Sequence, residues 1–415
     1  NSVKPNLYKK EVSMKFLFSH RNFPAQFRHI LIELSKDPSN EIVFITGTKN
    51  DVKIPRVKKY EYKLKRKVPE NCHRYLRTFE EAVIHGQSAA EVAIKLKNKG
   101  FKPDVIYAHP WGNSLYLKDI FPDVPLINFC EWYYKSENSD IDFSGEQINE
   151  DRKAKTRTMN AQLLLDLVSC DKGICPTNWQ KSQFPKDFHH KIEVLHDGID
   201  TDYFIPNPDA VLKIPNTDIK LTAKDEVVTY ATRGMEAYRG FPQFMEMAEK
   251  LLKLRKNVHI VIGGEDRICY GPKLEKGSYK QIMLNKLDLD MSRVHFTGGL
   301  PYMEYKKLLQ ISSAHVYLTY PFVLSWSMLE AMSCGCCVVG SKTPPVQEVI
   351  EDNKNGLLVD FFNIDELTDK VEYALDNQDK MAEIRENARN TIIEKYDLKK
   401  LLPRHIEILK STAKQ

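Results

Sequence analysis

The run VVTYATRGMEAYRGFP, residues 227–242, states the organisation of the fold in miniature. Residues 227–232 are β-branched or aromatic except for Ala231, as suits a buried strand. The chain then passes Arg233-Gly234 and Arg239-Gly240, and Pro242 opens an amphipathic helix. A strand that gives way to a helix N-terminus presents free backbone N–H groups and a favourable dipole, and two guanidinium forks held at the turn add bidentate donors. The segment reads as a cradle for a diphosphate. Taken alone, it reads more readily as two surface arginines in a loop.

A second turn of the same kind follows. Residues 314–320 read as a strand that ends in Pro321-Phe322-Val323-Leu324-Ser325, and 326–333 read as a helix. Its first amides, at Leu324, Ser325 and Trp326, are expected to face the same phosphates, with Glu330 one and a half turns further in to accept hydrogen bonds from ribose hydroxyls. Outward from here the pattern repeats. Strands are expected at 258–263, 294–298, 337–341 and 357–360, and in the first half at 15–20, 41–47, 104–109, 126–131, 173–177 and 192–196. Helical periodicity lies between them at 25–34, 80–97 and 157–168.

Alternating strands and helices predict an α/β protein with parallel sheets. Strand-helix alternation restarts after a linker containing Pro206, Pro208 and Pro215, so two doubly wound Rossmann-like domains facing a central cleft are expected. The expected boundaries are an extension at 1–13, a first domain at 14–205, a second at 206–390, and a C-terminal helix at 391–415 returning toward the first domain. Ligands of such sheets bind beyond the carboxyl ends of the strands.

The 415 residues suffice for two cores, and no apolar run approaches the ~18 residues of a membrane helix. A net charge of +5, from 61 basic and 56 acidic residues, gives no general affinity for nucleic acid. The basic residues cluster locally. Lys53, Arg56, Lys58, Lys59, Lys63, Lys65, Arg66 and Lys67 stand against Glu61 alone. This 52–67 stretch reads either as a lysine-protected edge strand with a solvated loop or as a surface for anionic lipid. The eight cysteines fit reduced thiols in a cytoplasmic protein, and Cys334, Cys336 and Cys337 lack a second pair at zinc-ligand spacing, so no metal site is expected.

Met328-Leu329-Glu330-Ala331-Met332-Ser333-Cys334-Gly335, then Val338-Val339-Gly340-Ser341, Glu348-Val349-Ile350 and Asn355-Gly356-Leu357-Leu358-Val359, closely resemble the donor-site signature of family 4 glycosyltransferases. Val294-His295-Phe296-Thr297-Gly298 resembles that family's base-contacting strand, and residues 192–200 resemble the end of its first domain. The resemblance implies a GT-B enzyme that moves a sugar from a nucleoside-diphosphate sugar of UDP or GDP type, with retention and without metal or cofactor. It places Arg233 and Arg239 on the diphosphate and Glu330 on the ribose. Gly234, Gly298, Leu300, Val323, Leu324 and Ser325 complete the expected donor site.

Three departures stand out. Phe322 occupies a position where relatives carry a sugar-contacting glutamate, Pro344-Pro345 replaces a Gly-Gly pair, and the fourth strand ends in Asn128-Phe129-Cys130-Glu131 where a histidine is usual. Glu131 is expected to take that place. Facing it, the loop after the first strand (His20, Asn22, Phe23) and the turn His109-Pro110-Trp111-Gly112-Asn113 are candidates for acceptor contact. The catalytic set expected from this reading is Arg233, Arg239, His109 and Glu131. The implied acceptor is a carbohydrate, glycolipid or glycoprotein, in polysaccharide, glycan or glycolipid synthesis. A sugar-nucleotide epimerase of the same fold and a catalytically silent nucleotide-sugar-binding scaffold are the other readings.

Overall fold

The structure is a computed structural model and describes residues 13–413. The extension expected at 1–13 therefore lies outside the described residues except for Ser13. In the first half, β1 (Lys15–His20), β2 (Glu41–Thr46), β3 (Val57–Glu61), β4 (Val105–Ala108), β5 (Leu126–Phe129), β6 (Lys172–Cys175) and β7 (Ile192–Val194) form one parallel sheet in the order β3-β2-β1-β4-β5-β6-β7. A hairpin of β8 (Val211–Lys213) and β9 (Lys220–Thr222) leads into a second parallel sheet. There β10 (Val227–Gly234), β11 (His259–Glu265), β12 (Val294–Gly298), β13 (Ala314–Tyr317), β14 (Val338–Ser341) and β15 (Leu357–Val359) run in the order β12-β11-β10-β13-β14-β15.

Among the described residues, six α-helices accompany the first sheet: α1 (Arg28–Leu34), α2 (Arg77–Asn98), α3 (Leu117–Ile120), α4 (Glu150–Met159), α5 (Ala161–Ser169) and α6 (Asn178–Gln183). The second sheet carries α7 (Phe241–Leu254), α8 (Tyr279–Lys286), α9 (Tyr302–Gln310), α10 (Trp326–Ser333), α11 (Pro344–Gln347), α12 (Ile364–Asp376) and α13 (Gln378–Lys395). The chain is thus built of two Rossmann-like lobes, as expected. A last helix, α14 (Leu398–Thr412), sends Ile408 and Leu409 into the core of the first lobe beside Phe16, Phe18 and Leu31.

Both sheets reverse strand order at one point, between β1 and β4 in the first and between β10 and β13 in the second. Crossover helices leave to opposite sides there, opening a crevice at the strand ends. His20 and His109 lie at one such crevice, and Arg233 and the 318–325 loop at the other. Inner strands such as β2 and β4 are buried on both faces, which explains their apolar runs. The α7 helix shows the complementary pattern, with Phe241, Phe244, Met245, Ala248, Leu251 and Leu252 buried on one face. Each of its larger side chains contributes roughly 2 kcal/mol by leaving water.

Several expected element bounds change. The helix expected at 157–168 is two helices broken at Asn160, whose side-chain amide pairs with both backbone groups of Tyr134 and so uses the chain break to hold the loop after β5. Strands 104–109 and 314–320 stop short, at Ala108 and Tyr317, because their last residues peel away to build the site. The basic stretch contains the edge strand β3, with Lys58 paired to Glu41, Lys65 to Glu91 and Arg66 to Glu80.

Candidate active site

The turn after β10 brings Arg233 and Arg239 to one pocket, shared with Tyr270, Tyr317, Ser325 and Ser327. The two arginines differ in what holds them. Arg233 is exposed, and its guanidinium makes no hydrogen bond or ion pair among the described residues. Arg239 is buried, at 5% exposure. Its Nη1 donates to Tyr317 Oη at 3.2 Å and Thr319 Oγ1 at 2.7 Å, and its Nη2 donates to Val323 O at 3.0 Å. In this structure Arg239 ties the loop 319–325 to the end of β13, while lining the same pocket as Arg233.

Tyr317 Oη also accepts from Ser325 N at 2.9 Å. Ser325 caps α10, its hydroxyl accepting from Ser327 N. Leu324 is buried in the core and Val323 gives its carbonyl to Arg239, so neither side chain is a polar contact for a ligand. Gly298 has φ 67° and open space around its missing Cβ, and Leu300 packs against the core of the second lobe.

Glu330 lies on α10 and is 6% exposed. Its Oε1 accepts from Tyr302 Oη at 3.1 Å and its Oε2 from Tyr305 Oη at 2.7 Å, both hydroxyls coming from α9. Burial pushes the carboxyl above its usual range and the two hydroxyls oppose that shift. In this structure tyrosine hydroxyls of α9 take both carboxylate oxygens. Tyr302 and Tyr305 were not singled out, and only their i, i+3 spacing at the start of a helix signalled a shared face.

Across the cleft, His109 and Glu131 come together: Nε2 of the ring is 3.2 Å from Glu131 Oε2, and Nδ1 is 3.0 Å from Pro110 O. His20 stands edge-on to His109 with centroids 4.6 Å apart, and burial together with that neighbour holds its pKa well below the ordinary value. Trp111 also packs edge-on against His109, with centroids 5.0 Å apart. Asn22 points its carbonyl oxygen at Thr48 Oγ1.

One first-lobe expectation is corrected. Phe23 is 4% exposed and packs edge-on against Phe44, so its ring belongs to the core. Gly112 serves packing as well: with φ 104°, a Cβ there would sit 2.2 Å from Ala82 O, and the glycine lets α2 press against the turn that presents His109.

The lobes meet around this site. Trp132 packs against Phe322 with centroids 4.8 Å apart, Tyr238 Oη donates to Asp140 Oδ2 at 2.9 Å, and Trp326 Nε1 donates to Asp197 Oδ2 at 3.0 Å. Glu348 accepts from the backbone amides of Asn178 and Trp179 at the start of α6. Phe322 is therefore an interdomain contact, which accounts physically for an apolar residue where a carboxylate was expected. Pro344 and Pro345 open α11, which sets Glu348 at the lobe contact. Among the described residues, no cluster of His, Cys, Asp or Glu has the makings of a metal site.

Beneath His109 lies Asp166, 2% exposed, with Oδ1 accepting from Ser114 Oγ at 2.6 Å and Oδ2 without a hydrogen-bond partner. Burial pushes its pKa up to about 7. The folded protein then holds a proton that the unfolded chain releases near pH 4, so the stability this neutral acid contributes is lost as pH rises from about 4 through about 7. Asp166→Asn, which keeps the Ser114 bond, is expected to raise the melting temperature at pH 8 and leave it unchanged at pH 4, as differential scanning calorimetry at the two pH values checks.

Comparison with known proteins places two glycosyltransferase families on this frame. Residues 38–204 match the family model for the glycosyl transferase family 4 group, and residues 216–391 match that for glycosyl transferases group 1. An uncharacterized glycosyltransferase of Methanocaldococcus jannaschii is 27% identical over 184 residues, which is 43% of this chain and 42% of the relative. A phosphatidylinositol N-acetylglucosaminyltransferase component of Arabidopsis thaliana is 25% identical over 198 residues, 47% of this chain and 40% of the relative. The chain thus spans less than half the length of these two relatives. Among solved structures, Anabaena HepE in complex with UDP-glucose superposes with a TM-score of 0.67 at 17% identity, covering 96% of this chain and 100% of that one, a likeness of fold.

Proposed function

Since the chain belongs to the glycosyltransferases, its first half matching the family 4 group and its second half group 1, we propose that it moves a sugar from a nucleoside-diphosphate sugar to a hydroxyl acceptor with retention of configuration. The observation that carries this reading is the uncommitted guanidinium of Arg233, in one pocket with the capped start of α10 and across the cleft from the His109–Glu131 pair. A diphosphate leaving group gains most from such donors, because its charge grows as the bond to the sugar breaks. The acceptor hydroxyl attacks from the side the diphosphate leaves, and the leaving phosphate takes its proton. Glu131, oriented by His109, positions the acceptor hydroxyl or the sugar. Protein donors handle the charge, with no metal in the step.

HepE was crystallised with UDP-glucose, which supports a UDP sugar as the first donor to try. The Arabidopsis relative's name points to a lipid acceptor, and the exposed Val52, Lys53, Tyr60, Lys63, Leu64 and Lys67 form a basic, partly apolar rim in keeping with peripheral contact with anionic membrane. Co-sedimentation with phosphatidylserine vesicles is expected to fall as salt rises. Absence of binding at low salt rejects the membrane contact. Retention is tested by NMR of the new glycosidic bond formed from an α-linked donor: an α product in the presence of chelator is expected, and a β product overturns the retaining mechanism.

A further inference from the structure

The Arg233–Arg239 turn has a feature that the diphosphate reading does not use. Between the arginines lies Glu236, fully buried at 0% exposure beside a pocket expected to take an anion. A carboxylate there would repel a diphosphate unless its charge were engaged. It is engaged: its two oxygens accept from the backbone N–H groups of Cys269 at 3.1 Å, Tyr270 at 3.0 Å and Gly271 at 2.7 Å. Three consecutive amides converge on one carboxylate, as they do in an anion-binding nest.

The anchored segment is the loop after β11, and it is pressed onto the turn at further points. Met235 N donates to Glu265 O at 3.1 Å, and Arg267 Nε donates to the backbone carbonyl of Arg233 at 3.3 Å. A Cβ at Gly234 would lie 2.5 Å from Arg267 O, so only glycine permits this approach. What the loop presents is Tyr270, 38% exposed, its ring centre 5.0 Å from the Arg239 guanidinium and 5.4 Å from Phe322. Tyr270 shares the pocket with Arg233, Arg239 and Ser325.

We propose that Tyr270 is a donor-contacting residue that closes the diphosphate pocket with its ring, and that Glu236 is the positioning residue that holds it there. This rests on the donor-site reading given above. An aromatic face over the pocket excludes water and strengthens the arginine–phosphate contacts beneath it. Because Glu236 fixes the loop through backbone amides, any residue at 269 or 271 that tolerates the backbone path would preserve the arrangement, while loss of the carboxylate releases it.

The test is a double-mutant cycle read by calorimetric binding of UDP and GDP, with melting temperature measured alongside. Tyr270→Ala is expected to weaken binding of the preferred nucleotide about tenfold with an unchanged melting temperature, and Tyr270→Phe to bind like the wild type. Glu236→Ala is expected to show a similar loss, and the double variant to be no weaker than either single one. Wild-type binding by Tyr270→Ala, or losses that add in the double variant, overturns the proposal while leaving the donor site standing. Failure of the wild type to bind either nucleotide overturns both.

Discussion

Arg233→Ala is expected to lower kcat by roughly 10²–10³, the loss seen when one preorganised donor to a developing anion is removed. That corresponds to about 3–4 kcal/mol of transition-state stabilisation. The size follows from what Arg233 does not do: its guanidinium has no partner among the described residues, so nothing in the free protein competes for it. Because the diphosphate is more charged as it departs than in the bound donor, kcat falls more than KM rises. Stability is expected to change by less than about 0.5 kcal/mol, as for other exposed positions. The backbone carbonyl of Arg233, which holds Arg267, survives the substitution. Arg233→Lys retains a point charge without the fork and is expected to fall between. Steady-state kinetics with thermal melting of the same samples checks both halves, and unchanged turnover in Arg233→Ala sinks the assignment.

Arg239→Ala is expected to fail differently, losing stability and donor affinity together. Three protein acceptors, Tyr317 Oη, Thr319 Oγ1 and Val323 O, lose their donor in a buried place. At roughly 1–3 kcal/mol for each buried group left unsatisfied, partly relieved by water, a total loss of about 3 kcal/mol is expected. The loop 319–325 then loosens, and with it the capped start of α10, so donor KM is expected to rise about tenfold or more. Urea unfolding of the two alanine variants separates them: a midpoint shift for Arg239→Ala and none for Arg233→Ala. Equal stability of the two contradicts the division of labour between the arginines.

That division could not be read from sequence. Arg233 and Arg239 are six residues apart on one strand-to-helix turn, and propensity with phosphate chemistry placed both at the same pocket. Which of them is buried depends on Tyr317, Thr319 and Val323, some eighty residues further on, where the order of β10 and β13 brings the two segments together. The two-lobed parallel architecture was legible because buried parallel strands leave continuous apolar runs and amphipathic helices leave a 3.6-residue period. The break at Asn160 was not, because a side chain bonding a distant backbone overrides local helical periodicity.

On the first lobe, His109 and Glu131 were legible as strand-end polar groups, and the sheet order brings them within 3.2 Å. Phe23 and Gly112 shared the same loop positions but serve packing, a difference set by Phe44 and by the backbone of α2. Glu236 was missed because its partners are backbone amides, which every residue carries. Phe322 was read as a missing carboxylate; its contact with Trp132 makes it part of the surface where the lobes meet.

The most direct test of nucleotide-sugar transfer at this site is release of nucleoside diphosphate from a panel of UDP, GDP and ADP sugars, with and without lipid-linked and oligosaccharide acceptors. The expected result is release from one nucleotide class that depends on acceptor in the wild type and is nearly abolished in Arg233→Ala. Tight binding of a nucleotide sugar with no acceptor-dependent release from any donor would contradict it.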